Sequence, residues 1–151
     1  MTQPESTPLL LRHFVCFNFY RGWRGISEFY RPWLPPGVSP QQSYVLELCD
    51  ESRGKTVGSI ASGLEIDPPA VSSLIGRMER SGLVRRELDP GNRRYTLVFI
   101  SPAGVELRAR VRESMARADN QLRKHFTEQD LQQLVRLVDK IQAAADEREA
   151  R

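Results

Sequence analysis

Apolar residues recur with helical spacing along most of this chain, and with strand-like alternation near its middle. Residues 9 to 30 carry Phe14, Phe17, Trp23, Ile26 and Phe29 and predict a first helix that Pro32 closes. Pro35-Pro36-Gly37 is a break. Ser39 followed by Pro40 has the form of an N-cap with proline at the first helical position, opening a helix through Tyr44, Val45, Leu46 and Leu48 with one buried face. Thr56 caps the next helix, in which Val57, Ile60, Ala61 and Leu64 fall at i, i+3, i+4 and i+7. Past the turn Leu64-Glu65-Ile66-Asp67, the pair Asp67-Pro68 repeats the cap-and-proline start, and Val71, Leu74, Ile75 and Met78 repeat the spacing.

Two strand-like runs follow, Arg85-Arg86-Glu87-Leu88 and Tyr95-Thr96-Leu97-Val98-Phe99-Ile100, around the turn Asp89-Pro90-Gly91-Asn92. Both faces of the second run are apolar enough for one to pack on the helices. Ser101-Pro102 opens a long helix through Val105, Leu107, Val111 and Met115 toward Leu122. Thr127 with Asp130 has the form of a capping box and starts a last helix carrying Leu131, Leu134, Leu137, Val138 and Ile141, with 145–151 expected to fray. The expected fold is mainly α (α+β): one domain over 1–151, a winged helix-turn-helix at 39–101, and dimerisation helices at 8–34 and 103–147. The outer helices carry more apolar surface than so small a core can cover, which predicts a two-fold homodimer built from both chain ends.

Charge sharpens this picture only locally. The 22 Lys+Arg against 19 Asp+Glu leave a formal +3, too mild to identify a partner. Between positions 77 and 94, however, six arginines (Arg77, Arg80, Arg85, Arg86, Arg93, Arg94) face three carboxylates (Glu79, Glu87, Asp89), so this segment carries as large an excess as the whole chain. A planar guanidinium fork suits phosphate oxygens and guanine edges. The second helix of the pair turns Pro69, Ser72, Ser73, Gly76, Arg77 and Arg80 away from its apolar stripe. Short side chains there allow close approach to a major groove, while Arg93 and Arg94 at a slim hairpin tip suit a minor groove. The expected partner is double-stranded DNA with a pseudo-palindromic operator, contacted by Pro69, Ser72, Ser73, Arg77, Arg80, Arg85, Arg86, Arg93 and Arg94.

No apolar run approaches the roughly 20 residues of a membrane span, and Met1-Thr2-Gln3-Pro4-Glu5-Ser6 lacks the basic start of a signal peptide. A cytoplasmic protein without a membrane partner is expected. Cys16 and Cys49 are too few for a disulfide framework or a zinc site, and His13 and His125 have no metal-spaced partners. No phosphate-binding Gly-rich loop, metal constellation or nucleophile–base arrangement is legible, so neither enzymatic activity nor a cofactor is expected. A thiol peroxidase using Cys16 is the one catalytic alternative. A dimerisation module that ignores DNA would leave Arg93 and Arg94 unexplained.

The run Ile60-Ala61-Ser62-Gly63-Leu64, the stretch from Val71-Ser72-Ser73 through Ser81-Gly82-Leu83-Val84, and the wing Asp89-Pro90-Gly91-Asn92-Arg93-Arg94 ending at Ile100-Ser101-Pro102-Ala103-Gly104 resemble the MarR family of dimeric winged-helix transcription regulators. The resemblance covers nearly the whole chain and places Arg94 where relatives enter the minor groove. Asn92 stands where the family has aspartate. A narrower resemblance joins Cys16-Phe17-Asn18-Phe19-Tyr20 and Phe29-Tyr30-Arg31-Pro32-Trp33-Leu34 to the organic hydroperoxide regulators (OhrR branch). It implies a redox sensor of Cys16, Tyr20 and Tyr30.

Cys16 and Tyr20 share a helix face at i, i+4, but Tyr30 lies about 21 Å further along a continuous helix. An antiparallel crossing of two first helices would bring one subunit's tyrosines to the other's cysteine. Phenolic donors would stabilise the thiolate that attacks a peroxide. The expected function is a repressor released by oxidation of Cys16. The alternative is a repressor released by a small aromatic or phenolic acid, in a cleft lined by Trp23, Trp33, Arg12, Arg24 and His13. Cys49, beside Leu46 and Leu48, is expected to be core filler.

Overall fold

The structure, a computed structural model, describes residues 8–149. They form α1 (Leu9–His13), α2 (Val15–Tyr30), a 3-10 turn (Arg31–Trp33), α3 (Pro40–Leu48), β1 (Lys55–Thr56), α4 (Val57–Leu64), α5 (Pro68–Arg80), β2 (Val84–Leu88), β3 (Thr96–Ile100), α6 (Pro102–Arg123) and α7 (Glu128–Glu149). The chain has two compact units, divided between Met115 and Ala116 within α6.

The first unit is a winged helix. Its antiparallel sheet runs in the order β1-β3-β2, with Lys55 opposite Val98 and with Val84 to Leu88 opposite Ile100 to Thr96. The core joins Val45 and Leu46 of α3, Ile60 and Ala61 of α4, Val71, Leu74, Ile75 and Met78 of α5, Val84, Val98 and Ile100 of the sheet, and Leu107 and Val111 of α6. Each of the larger aliphatic groups removed from water contributes roughly 1.5–3 kcal/mol. The expected stripes of α4 and α5 are the faces turned inward. On β3 the inward face is that of Val98 and Ile100.

The expected caps are in place. Ser39 Oγ accepts from Gln42 N, and Gln42 Oε1 accepts from Ser39 N, a complete capping box. Thr56 accepts from Ser59 N, Asp67 from Ala70 N, and Ser101 from Gly104 N. Glu65 ends α4 in the left-handed region at φ 54°. Gly104 is where α6 meets the turn before β2, and a Cβ there would collide with the Leu83 carbonyl oxygen. Arg108 of α6 donates to the Leu46 and Cys49 carbonyls at 3.2 and 2.9 Å and so closes the C-terminal end of α3. Arg112 grips Glu47 through both Nε and Nη2.

Four details differ from expectation. The first helix is interrupted at Phe14, whose ψ of 125° is extended; Asn18 Nδ2 donates to the Arg12 carbonyl at 2.7 Å and also to the Phe14 carbonyl, which already accepts from Asn18 N. Helical structure also passes Tyr30 into the turn that contains Pro32, and it ends at extended Leu34. The two-residue β1 is an edge strand too short to carry a periodic signal. Tyr44 of α3 is exposed.

In the second unit, Thr127 and Asp130 form the expected box: Asp130 N donates to Thr127 Oγ1 at 3.1 Å and Thr127 N to Asp130 Oδ2 at 2.8 Å. The Thr127 hydroxyl also donates to Asp130 Oδ2, at 2.7 Å, and this bond first and the Thr127 amide second hold the Asp130 carboxyl below its ordinary pKa. α7 continues to Glu149, beyond the point at which fraying was expected; residues 150–151, like the N-terminal segment read for a signal peptide, lie outside the described residues. Leu134, Leu137, Val138 and Ile141 form an exposed i, i+3, i+4, i+7 row along α7.

Candidate nucleic-acid interface and sensor helix

α5 presents two unlike faces because its apolar residues fall on one side of a 3.6-residue period. Val71, Leu74, Ile75 and Met78 are buried, and Pro69, Ser72, Ser73, Arg77 and Arg80 are exposed opposite them. Arg77 Nη1 donates to Ser73 Oγ one turn back at 3.0 Å, which lays the guanidinium along the helix. Pro68 and Pro69 carry no amide hydrogen. The next two amides are engaged, Ala70 N on Asp67 Oδ2 at 3.0 Å and Val71 N on Asp67 O at 3.2 Å.

The wing is built from two side-chain turns. Asp89 Oδ1 accepts from Gly91 N at 2.8 Å, and Asn92 Oδ1 accepts from Arg94 N at 3.1 Å. Asn92 therefore supplies the backbone bond that an aspartate would make there. Tyr95 N on Asn92 O and Asp89 N on Tyr95 O close the loop at 2.9 and 3.0 Å. Arg93 and Arg94 project from it exposed, and among the described residues neither makes an ion pair.

Arg85 and Arg86 are placed differently. The Arg85 guanidinium stacks 4.3 Å over the Phe99 ring, pairs with Glu87 and approaches the Glu51 carbonyl at 3.4 Å. Arg86 sets Nε and Nη2 on Glu79 Oε2 of α5. This pairing lowers the Glu79 pKa and raises that of Arg86. Both arginines thus brace the wing from inside the chain, a use of charge that spacing does not reveal.

The sensor residues lie on α2, of which no residue is buried. Cys16 is exposed, as is Tyr20; Tyr30 sets its ring edge-on to Phe29 at 5.5 Å. α2 is continuous from Val15 to Tyr30, so within one chain the rise separates Cys16 from Tyr30. Arg24 pairs with Glu28 at 3.2 Å, and its pKa is raised by Glu28 first and Tyr20 second. Cys49 is buried as expected, and desolvation pushes its thiol up to about 11.

A cleft of about 360 Å³ opens between α2, the loop after it and the start of α3, lined by Trp23, Ser27, Arg31, Leu34 and Val38 among others. Of the ligand residues expected from sequence, only Trp23 lines it; Trp33, Arg12, Arg24 and His13 do not. Ser27 and Arg31 were missed, although Trp23, Ser27 and Arg31 are spaced i, i+4, i+8 along one helical face. Among the described residues no group of three or more His, Cys, Asp or Glu is placed to hold a metal ion, and no helix is long and apolar enough to cross a membrane.

Residues 37–94, which span the helix pair and the wing tip, match the sequence model of the MarR family. A protein named for transcriptional regulation of the hcr operon in Thauera aromatica is 22% identical over 105 residues, 70% of this chain. That match spans only 63% of the relative's length. Among solved structures, the PcaV transcriptional regulator from Streptomyces coelicolor in complex with its natural ligand superposes with a TM-score of 0.82 at 16% identity, over 96% of this chain and 99% of that one. The transcriptional repressor CouR bound to a 23-mer DNA duplex gives 0.75 at 22% identity, over 91% and 99%.

Proposed function

We propose that this MarR-type winged-helix chain is a DNA-binding transcription regulator that acts as a homodimer in the cytoplasm and represses the genes beside its operator. The observation that carries the reading is the combination of an exposed Ser72, Ser73, Arg77 and Arg80 face on α5 with Arg93 and Arg94 on the neighbouring wing, which make no ion pair among the described residues. The first suits base edges in a major groove; the second suits an adjacent minor groove. Exposed apolar rows on α2 (Phe19, Trp23, Ile26) and on α7 call for a second copy to cover them. Two copies would space their α5 helices about one duplex turn apart. Arg85 and Arg86 enter this reading as braces of the wing.

Release from DNA has two readings. In the first, the exposed Cys16 thiolate attacks an organic hydroperoxide; the O–O bond breaks, the sulfur becomes a sulfenate and the peroxide leaves as its alcohol. A small thiol then condenses with the sulfenic acid, giving a mixed disulfide and water. Tyr20 and Tyr30 of a second subunit would supply the phenolic donors. The cleft at Trp23 and Arg31 supports the second reading, in which an aromatic carboxylate stacks on the indole and pairs with the guanidinium.

One experiment separates them. Wild-type and Cys16→Ser proteins are bound to an operator duplex and treated with cumene hydroperoxide or with a panel of aromatic acids. Release of the wild type alone by peroxide supports the redox reading. Equal release of both by an acid supports the ligand reading. Failure of the wild type to bind any duplex in a salt-dependent way removes the regulator.

A further inference from the structure

Gly76 stands inside α5, nine residues into a thirteen-residue helix. Glycine in a helix interior is unfavourable because it leaves the unfolded backbone so free, and a chain that retains it there normally has a packing reason. Gly63 has one, since a Cβ there would press on Leu48, and so does Gly104; Gly22 and Gly25 of α2 and Gly58 of α4 meet nothing within 4 Å. Gly76 has none. A Cβ added to it would meet only the far end of the Arg80 side chain, at 3.7 Å, an ordinary contact. Its φ is not positive, so the backbone itself does not demand glycine.

The position of Gly76 supplies the reason that packing does not. With Pro69, Ser73 and Arg80 it falls at i, i+4, i+7 and i+11, on the side of α5 opposite Val71, Leu74, Ile75 and Met78. Beside it, Arg77 is already turned by its bond to Ser73 Oγ. A guanidinium held flat along the helix reaches a base edge only if the helix backbone itself lies deep in the groove. A methyl group at the centre of the face would hold it off by about the width of one carbon.

Resting on the DNA-binding reading above, we propose that Gly76 is a specificity-determining position: its missing side chain admits the α5 backbone to the base edges, where Arg77, pre-oriented by Ser73, reads the sequence. Backbone phosphates, reached from longer side chains at the rim and from the wing, are indifferent to it. The position therefore separates two quantities that usually move together, the stability of the chain and its hold on a particular sequence.

The test is Gly76→Ala. A duplex of about 30 base pairs is first selected from a random library with the wild-type protein, and a scrambled duplex of the same composition serves as the non-specific probe. At equal protein concentration the variant should melt about 2–5 °C higher, because alanine is the better helix former. It should bind the selected duplex about tenfold more weakly and the scrambled duplex equally well within about twofold. A lower melting temperature would give Gly76 a structural role and overturn the proposal, as would undiminished affinity for the selected duplex. A parallel loss on both duplexes would also overturn it, since Gly76 would then serve binding without selecting sequence. If the wild type enriches no duplex at all, the regulator reading itself falls, an outcome distinct from the other three.

Discussion

Arg86 places Nε and Nη2 on a single oxygen of Glu79, at 2.8 and 2.5 Å, and so ties β2 of the wing to the last turn of α5. The two elements proposed to enter neighbouring grooves are thereby held at one relative angle. Exposed pairs of this kind contribute only about 0.2–1 kcal/mol to folding, so the larger consequence is geometric. Glu79→Gln and Arg86→Ala should each leave the melting temperature within a few degrees of wild type and weaken binding to a selected duplex several-fold. The charge-reversed pair Glu79→Arg with Arg86→Glu should recover part of that loss in a gel-shift or anisotropy titration; no recovery would mean the pair does not set the angle.

Arg94 has no partner to lose within the described residues, so Arg94→Ala should leave stability unchanged. Binding should weaken for selected and scrambled duplexes alike, and the slope of log affinity against log salt should become shallower by about one. Titration at several salt concentrations checks this. Unchanged affinity at moderate salt would move the minor-groove contact elsewhere.

The two thiols should be separable by burial. At pH 8 the native protein should titrate one thiol with a chromogenic disulfide, and Cys16→Ser should titrate none until denaturant exposes Cys49. Because folding raises the Cys49 pKa to about 11, its neutral form is the stabilised one. Its contribution is complete below the unfolded thiol range, near pH 8.5, and fades as pH climbs through about 11. Replacing Cys49 with alanine should remove that alkaline loss while costing stability through the cavity it leaves.

Asp50 gives the opposite sign at the acid end. Its Oδ1 accepts from Ser52 N, Ser52 Oγ and Arg53 N, and the Ser52 amide is the largest cause of a pKa lowered to about 2. A depressed carboxyl stabilises the fold above its ordinary range, near 4, and loses that effect as pH falls through about 2. Urea midpoints of Asp50→Ala should therefore differ from wild type at pH 6 and converge with it near pH 2. A constant difference across that interval would exclude the titration of Asp50 as the cause.

Much of this molecule was legible from spacing alone because local rules and tertiary packing agree in it. The cap-and-proline pairs at Ser39, Asp67 and Ser101 begin helices, and the stripes of α4 and α5 are their buried faces. What escaped is what depends on a partner far away in sequence. Arg86 has the same side chain as Arg94, and only the fold brings Glu79 against one of them. β1 exists because β3 offers Lys55 and Thr56 a neighbour, not because two residues favour a strand. The interruption at Phe14 rests on one amide, that of Asn18, reaching back to two carbonyls. Cys16 and the tyrosines form no centre in a single chain, so their worth as a sensor depends on how a second copy lies against α2.

The two prolines that open α5 have a consequence for how this helix can hold a polyanion. Helix starts commonly cradle phosphate with unengaged amides, yet here two of the first four positions have no hydrogen to give and Asp67 occupies the others. The carboxylate of that cap moreover meets an approaching anion with repulsion. Whatever grip α5 takes on a sugar–phosphate strand must therefore come from side chains, the exposed serine hydroxyls and the guanidiniums of Arg77 and Arg80, and its charged part is tunable by ionic strength and by the loss of either guanidinium.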